Sequence, residues 1–559
     1  MKGLTEVSAP KTNGSVLVAS GIALSRIFGF MREKLLSHVF GLGFAADAFS
    51  AASQVPNLLL MLSGEGVLSA SFVPVYSKLL DEDDPKEASR VASAVGALLL
   101  AVTGIVVGLF VLAARPITSV LAFGLSGAKF ELVVDLVQIM AVGLGFVVMS
   151  GWCLGILNSH RRFFLPYAAP VLWNVCQIVA LYLMWVRGWD LVDAARGLAL
   201  AVTIGGLAQL LIQLPTALRL VQVIWERPNF KNPLVRDVRR RFAPALLGRG
   251  TVQISAYLDL MLATLLATGA IAALIKAQLI ATLPVSLFAM SVAAAELPEL
   301  SRLGSEPKQL VERSSRSLRQ ITFWMFFASF ILIGAGDLVV QMLYQGGEFS
   351  SEDATLVWFV LAVYALGLPA IGAGRLLKNL CYALADTRGP ARIAGLRVLV
   401  SVSVALTIMF SLDRISIGID GFIASSDWPA FAPLPQDIRA VEGPVRLGAV
   451  GLAAGSALSA WFEFVLLTLR CRKHLTRFIR PVRFLTKPAL VAVCSLAPTM
   501  AVRTLIGDLW VFVQLGIVIT TAAASYLTIC TFARIKETQL VLQPLGKVAA
   551  AVTRNKSKH

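Results

Sequence analysis

Charge is scarce in this chain. Of 559 residues, 15% are charged and 57% are hydrophobic, whereas a soluble globular protein carries about 25% charged residues. That shortage excludes an ordinary soluble domain. Histidine is rarer still: His38, His160, His474 and His559 stand at no ligand spacing. The six cysteines (Cys153, Cys176, Cys381, Cys471, Cys494, Cys530) form no CxxC pair and no Cys/His cluster. Neither a disulfide framework nor a zinc site follows from such a pattern, and no metal or other cofactor is expected. No phosphate-cradling GxxxxGK[ST] loop, HExxH or GxSxG occurs, so the sequence reads as a non-enzyme that does not use ATP directly. An ion gradient, the membrane potential or a substrate gradient would then drive any transport. The segment 1–15 is polar and lacks a small-residue cleavage site, so the first apolar helix is expected to be an uncleaved anchor.

What the chain has instead is long apolar runs. A run of about 20 residues spans a bilayer as a helix. Fourteen candidate spans centre on 16–40, 50–77, 91–113, 132–157, 164–186, 195–217, 243–268, 270–297, 318–340, 354–384, 391–411, 447–469, 484–503 and 510–532. The expected fold is therefore an all-α polytopic membrane protein. Lys and Arg gather in the loops that follow the even-numbered spans, for example Arg161 and Arg162, Arg236 to Arg241, and Arg470 to Arg483. The opposite loops hold acids, among them Asp190, Glu352, Asp413 and Asp427. Cytoplasmic loops are the basic ones, so both termini are expected in the cytoplasm, with the protein multi-pass in a bacterial inner membrane. This placement also explains the net charge of +17: basic loops meet anionic lipid headgroups. Nucleic acid is excluded as a partner, because the basic segments lack interleaved aromatics and any recognition motif.

The second span ends in Pro74-Val75-Tyr76-Ser77-Lys78-Leu79 and the eighth in Pro298-Glu299-Leu300-Ser301-Arg302-Leu303. The sixth and twelfth carry Gly197-Leu198-Ala199 and Gly451-Leu452-Ala453. These matches predict two pseudo-symmetric six-helix lobes followed by two extra helices, a parallel-repeat transporter design. The boundaries read as 1–218 for the first lobe, 219–242 for a basic linker and 243–470 for the second lobe. Residues 471–535 hold the last two helices, and 536–559 a basic tail.

Arginine cannot shed its charge, and near a bilayer centre it costs at least ~2.5–3.5 kcal/mol. Yet Ser25-Arg26-Ile27-Phe28-Gly29-Phe30-Met31-Arg32-Glu33 lies in the first span. Arg26 and Arg32 are the first candidates for binding an anion. Six residues put them about 240° apart on an ideal helix, so both face one cavity only if the helix breaks or bends, for which Gly29 is the candidate. Asp47 and Glu65 are candidate gating acids, since acids and bases at membrane depth neutralise each other. Arg249 and Lys276 are further cations at membrane depth. Arg375 and Lys378, and the polar Asn174, Gln177, Gln209 and Gln213, are weaker cavity candidates.

The first two spans read SRIFGFMREKLLSHVFGLGFAADAFSAASQVPNLLLMLSGEGVLSASFVPVYSKL. This resembles the MurJ/MviN lipid II flippase family of the MOP exporter superfamily. The carrying elements are Ser25-Arg26, Gly29, Arg32, Phe40-Gly41, Asp47-Ala48-Phe49, Pro56-Asn57-Leu58-Leu59, Glu65-Gly66 and Phe72-Val73-Pro74. Tyr382-Ala383-Leu384 with Asp386-Thr387-Arg388 and Pro390 is a second match. The resemblance implies translocation of lipid II, the undecaprenyl-pyrophosphate-linked disaccharide-pentapeptide of peptidoglycan synthesis, from the cytoplasmic to the periplasmic leaflet. It implies a cationic cavity for the pyrophosphate, with Asn57 among its lining, and a lipid-tail groove formed with the last two helices. It also implies a monomer, and it leaves room for a coupling cation. Two arginines usual in such proteins are absent: Leu60 and Leu279 stand in their places. Arg249 and Lys276 are the candidates to replace them. Export of another polyprenyl-linked glycan by a related MOP-type protein, and a non-transporting role in envelope assembly, are the alternatives.

Overall fold

The computed structural model describes residues 13–63, 71–221, 233–238, 240, 257–303, 306–418, 421–439, 443–475, 481–507 and 509–539. Glu65 and Arg249 lie outside them. The chain forms two compact units. Unit 1 comprises Met1–Ala272 with Gly346–Phe349 and Gln436–Glu442; unit 2 comprises Ala273–Gln345, Ser350–Pro435 and Gly443–His559.

Unit 1 contains α1 (Asn13–Phe40), α2 (Phe44–Ser63), α3 (Val73–Asp81), α4 (Pro85–Leu112), α5 (Ala114–Leu121), α6 (Gly127–Ser159), α7 (Phe164–Val186) and α8 (Leu191–Leu220). Unit 2 holds most of α9 (Ala270–Pro284), which runs through a π-helical turn at Val285–Met290 into α10 (Ser291–Arg302). Then come α11 (Pro307–Gly334), α12 (Gly336–Tyr344), α13 (Ser351–Ala383), α14 (Arg388–Leu412), α15 (Gly448–His474), α16 (Pro481–Leu505) and α17 (Val511–Phe532). Among the described residues, eleven helical stretches are long and apolar enough to cross a membrane. Outside those eleven, α1 overlaps the first expected span and α2 and α3 overlap the two ends of the second, whose residues 64–70, like most of the seventh span, lie outside the described residues. The expected eighth span is one continuous stretch from Ala270 to Arg302. Pro284 cannot donate to the helical ladder, and the π turn begins directly after it.

Small residues set the packing within each unit. In unit 1, α8 lies along both α6 and α7. A Cβ on Gly206 would stand 2.4 Å from the Gly143 carbonyl oxygen, and one on Gly143 would stand 2.5 Å from Thr203 Cα. In unit 2, α15 lies along both α13 and α14. There a Cβ on Gly451 would meet Met409 Cα at 2.5 Å, and one on Gly455 the Ser401 carbonyl oxygen at 2.6 Å. The two glycine-bearing helices are the sixth and twelfth expected spans, and each lets backbones approach as small residues do in membrane bundles. α16 and α17 pack on α11, where the buried Tyr526 hydroxyl donates to the Phe323 carbonyl at 3.0 Å. Two cysteines of unit 2, Cys381 on α13 and Cys471 on α15, are buried with their sulfurs 3.6 Å apart.

Two features add to the expected all-α fold. After α14, β1 (Ile415–Gly418) pairs antiparallel with β2 (Gly421–Ala424), Ile415 opposite Ala424. The β-branched Ile415, Ile417 and Ile423 favour that ribbon. Separately, Gly346–Phe349 docks in unit 1, where the Glu348 N–H donates to the His38 carbonyl at 2.9 Å.

Candidate functional site

The expected break in the first span is absent: α1 runs unbroken from Asn13 to Phe40. Apart from the helix's own backbone, no described atom lies within 4 Å of where a Gly29 Cβ would stand. The two arginines accordingly sit in different surroundings. Arg26 is exposed. Arg32 is half-buried, pairs with Glu33 at 2.5 Å, and lies with its guanidinium carbon 5.3 Å from the Trp173 ring centroid of α7. Its Nε is buried and meets no acceptor among the described residues. A flat guanidinium over indole is favoured by the ring quadrupole, which fixes Arg32 while Arg26 keeps solvent or lipid access.

Asp47 does not meet either arginine. It is 1% exposed near the start of α2, and its cation is Lys129 of α6, with Nζ 2.8 Å from Oδ2. Two backbone amides complete its shell: Gly269 N–H donates to Oδ2 at 2.9 Å and Ala272 N–H to Oδ1 at 2.9 Å. The carboxylate thus sits at the N-terminus of α9, where free N–H groups and the helix dipole favour negative charge. Gly269 has φ +96° and lies against the Leu42 carbonyl, a conformation that suits glycine. Lys129 also donates to Thr268 Oγ1 at 3.3 Å, Thr268 donates to the Arg439 carbonyl at 2.9 Å, and Arg439 donates to the Leu265 carbonyl at 3.1 Å. One polar knot therefore joins residues 47, 129, 265–272 and 439, all within unit 1.

Lys129 escaped sequence reasoning. It precedes the expected span 132–157 and reads as a loop cation. The available signal was its position, a lysine in one of the loops otherwise poor in cations.

Lys276 and Leu279, three residues apart on α9, have different environments. Leu279 is 37% exposed, whereas Lys276 is 3% exposed, with Nζ 4.9 Å from the Tyr344 ring centroid. Lys276 is committed to the interior of unit 2 rather than to the face that Leu279 presents. Gln278 donates to the Tyr364 hydroxyl at 2.8 Å. Asn57 is half-buried on α2. Asn174, Gln177, Gln209 and Gln213 are buried in unit 1: Gln209 and Gln213 of α8 both donate to Ser150 of α6, whereas Asn174 and Gln177 donate to the Pro170 and Trp173 carbonyls of their own helix.

The second matched motif forms its own cluster in unit 2. At the turn between α13 and α14, Asp386 accepts from Arg470 Nε at 2.7 Å and from the Gly389 N–H at 2.9 Å. The Arg470 hydrogen bond, then that of Gly389, hold its carboxyl at about 2.

The sequence profile of the lipid II flippase MurJ family matches residues 36–426. The chain belongs to the MurJ family. Among MurJ relatives, the probable lipid II flippase MurJ of Bdellovibrio bacteriovorus is 31% identical over 436 residues, covering 76% of this chain and 81% of the relative. That of Rhizobium meliloti is 32% identical over 397 residues, covering 69% and 73%. A solved lipid II flippase MurJ in an inward closed conformation superposes with a TM-score of 0.70 at 22% identity, covering 93% of this chain and 99% of that one. An inward-facing multidrug-resistance MATE transporter of the MOP superfamily superposes at 0.60 with 13% identity. The MurJ fold and the apolar helices make this a multi-pass inner-membrane protein.

Proposed function

We propose that this MurJ-family chain is a lipid II flippase, moving the undecaprenyl-pyrophosphate-linked disaccharide-pentapeptide from the cytoplasmic to the periplasmic leaflet by alternating access. Family membership supports the substrate, and one observation supports the mechanism above others: Arg26 is an exposed guanidinium on a helix of membrane length. A charge so costly at membrane depth marks a substrate pathway by default. In this reading Arg26 and Arg32 take the pyrophosphate, since planar guanidinium groups match phosphate oxygens. Arg249 is the candidate to make up for Leu60 and Leu279. Lys276 takes a lesser part, because its ammonium is buried against Tyr344. Asp47 acts as a gate element, its knot with Lys129 and the α9 amides forming in one state and parting in another. Glu65 and Asn57 line the cavity. Both termini face the cytoplasm, α16 and α17 receive the lipid tail, and the protein works as a monomer.

The test is replacement of a host's own flippase by this gene under depletion. Rescue of growth is expected, with Arg26→Ala losing it at unchanged membrane expression. Failure of the parent gene to rescue, at normal expression, would remove the lipid II assignment and favour another polyprenyl-linked glycan. Full rescue by Arg26→Ala/Arg32→Ala would remove the cationic mechanism and favour a non-transporting role.

A further inference from the structure

Three cations of unit 2 gather around one carboxylate. Glu463 of α15 is 2% exposed. Arg397 of α14 donates through an η nitrogen to its Oε2 at 2.9 Å, and Lys378 Nζ of α13 stands 2.8 Å from its Oε1. Arg375, three residues before Lys378 on α13, is exposed and within electrostatic range of both Arg397 and Glu463. One negative charge thus faces three positive ones on helices that cross a membrane.

Tying α13 and α14 to Glu463 of α15 takes two cations, Lys378 and Arg397; Arg375 is surplus. The surplus costs free energy twice: each charge at depth is expensive, and like charges three residues apart on one helix face repel. Local geometry adds to this. Arg397 Nε is buried and meets no acceptor among the described residues. Gly374 leaves space beside the carboxylate, since a Cβ there would meet only Glu463 Oε2 at 3.9 Å and Leu467 Cδ1 at 4.0 Å. These are the features of a cationic site with a resident counter-ion and spare donors.

The site's depth indicates what fills it. Arg375 and Lys378 precede the end of α13 at Ala383, and Arg397 follows the start of α14 at Arg388. At 1.5 Å per residue these cations lie roughly 8–14 Å from helix ends. Those ends carry the basic residues Arg388, Arg392, Arg470, Arg472 and Lys473. Long basic side chains reach from such a depth toward the headgroup layer.

We propose that Arg375, Lys378 and Arg397 bind a phosphate group borne by an anionic lipid, which competes with Glu463 for them. Planar Arg donors take phosphate oxygens bidentately, and Lys supplies a point charge. The proposal stands apart from the flippase reading: lipid binding tests one and rescue of growth tests the other.

The experiment uses the purified full-length protein in neutral detergent, titrated with phosphatidylglycerol, phosphatidylcholine and inorganic phosphate, and read by native mass spectrometry. Phosphatidylglycerol should bind in preference to phosphatidylcholine. Arg375→Gln and Lys378→Gln should each weaken it by about tenfold, the loss of one charge-assisted hydrogen bond. Glu463→Gln should tighten it, because the competing carboxylate is gone; a cluster that only fastens helices would show lower thermal stability and unchanged lipid affinity. Arg375→Gln serves as the fold-safe variant, since Arg375 is exposed and makes no ion pair among the described residues. Equal binding of phosphatidylglycerol by parent and variants at equal melting temperature would overturn the proposal. So would binding of inorganic phosphate at these residues with no preference for phosphatidylglycerol.

Discussion

Lys129 and Asp47 form an ion pair whose two side chains are 4% and 1% exposed, the most completely buried pair among the described residues. Each partner came from a different part of the sequence, and each is held by more than the other. Asp47 has the Gly269 and Ala272 amides, and Lys129 has Thr268.

Removing either charge should therefore have unequal effects. Asp47→Asn strands a buried ammonium and should cost about 3–5 kcal/mol of stability, the usual range for breaking a buried pair. Lys129→Met leaves Asp47 with two backbone donors and should cost less. The double variant should be more stable than the sum of the single losses. Chemical denaturation of the purified variants checks this, and strict additivity would show that the pair is not coupled.

Arg32 depends on a ring as well as a charge. Trp173→Leu should loosen it by about 0.5–2 kcal/mol, the span of exposed to desolvated cation–π contacts. Arg32→Lys keeps the charge but loses the flat face and the fork of donors. Both variants should support partial rescue of growth, less than the parent and more than Arg32→Ala. Rescue by Arg32→Lys at the parent level would show that charge alone matters.

The Asp386 cluster predicts an acid-sensitive stability. The folded-state carboxyl sits at about 2, below its ordinary value of 3.8, because Arg470 and the Gly389 amide hold its charged form. A depressed pKa contributes stability that is present above the unfolded value and lost as pH falls through the folded one. The window is thus from near 4 down to about 2. Melting temperature followed across that range should fall more steeply for the parent than for Asp386→Asn. Parallel curves would mean the cluster contributes nothing to folding.

Gly347 should tolerate no side chain. Its φ is +59°, and a Cβ would stand 2.2 Å from the His38 carbonyl oxygen. Gly347→Ala meets a left-handed penalty of roughly 1–2 kcal/mol before the clash is counted. Gly41, at φ +56°, faces the Glu348 carbonyl oxygen at 2.4 Å in the same way. Gly347→Ala should lower the melting temperature clearly, whereas Gly29→Ala, with open space around it, should leave stability nearly unchanged or raise it. Equal effects of the two substitutions would contradict this account.

The membrane class was legible because a bilayer demands one long apolar run per crossing, and each run is visible on its own. The close-packed glycines of α8 and α15 were legible as rows of small residues, although their partners were not. Charge pairing was the least legible. Asp47 and Lys129 are 82 residues apart and Arg397 and Glu463 are 66 apart; no periodicity links such positions, and only tertiary packing brings them together. Local proximity misled at Gly29, where a glycine between two arginines suggested a break, yet the helical hydrogen bonding runs through it from Asn13 to Phe40. It misled again at Lys276, where helical spacing from Leu279 suggested a shared face but Tyr344 covers the lysine.

The buried sulfurs of Cys381 and Cys471 have a practical consequence. They stand 3.6 Å apart on two helices of the same unit. A bond between them would staple together two helices that already pack along each other within unit 2. Cross-linking studies that introduce cysteines to trap states of this chain must first remove this native pair, or the background it contributes will pass for a trapped conformation.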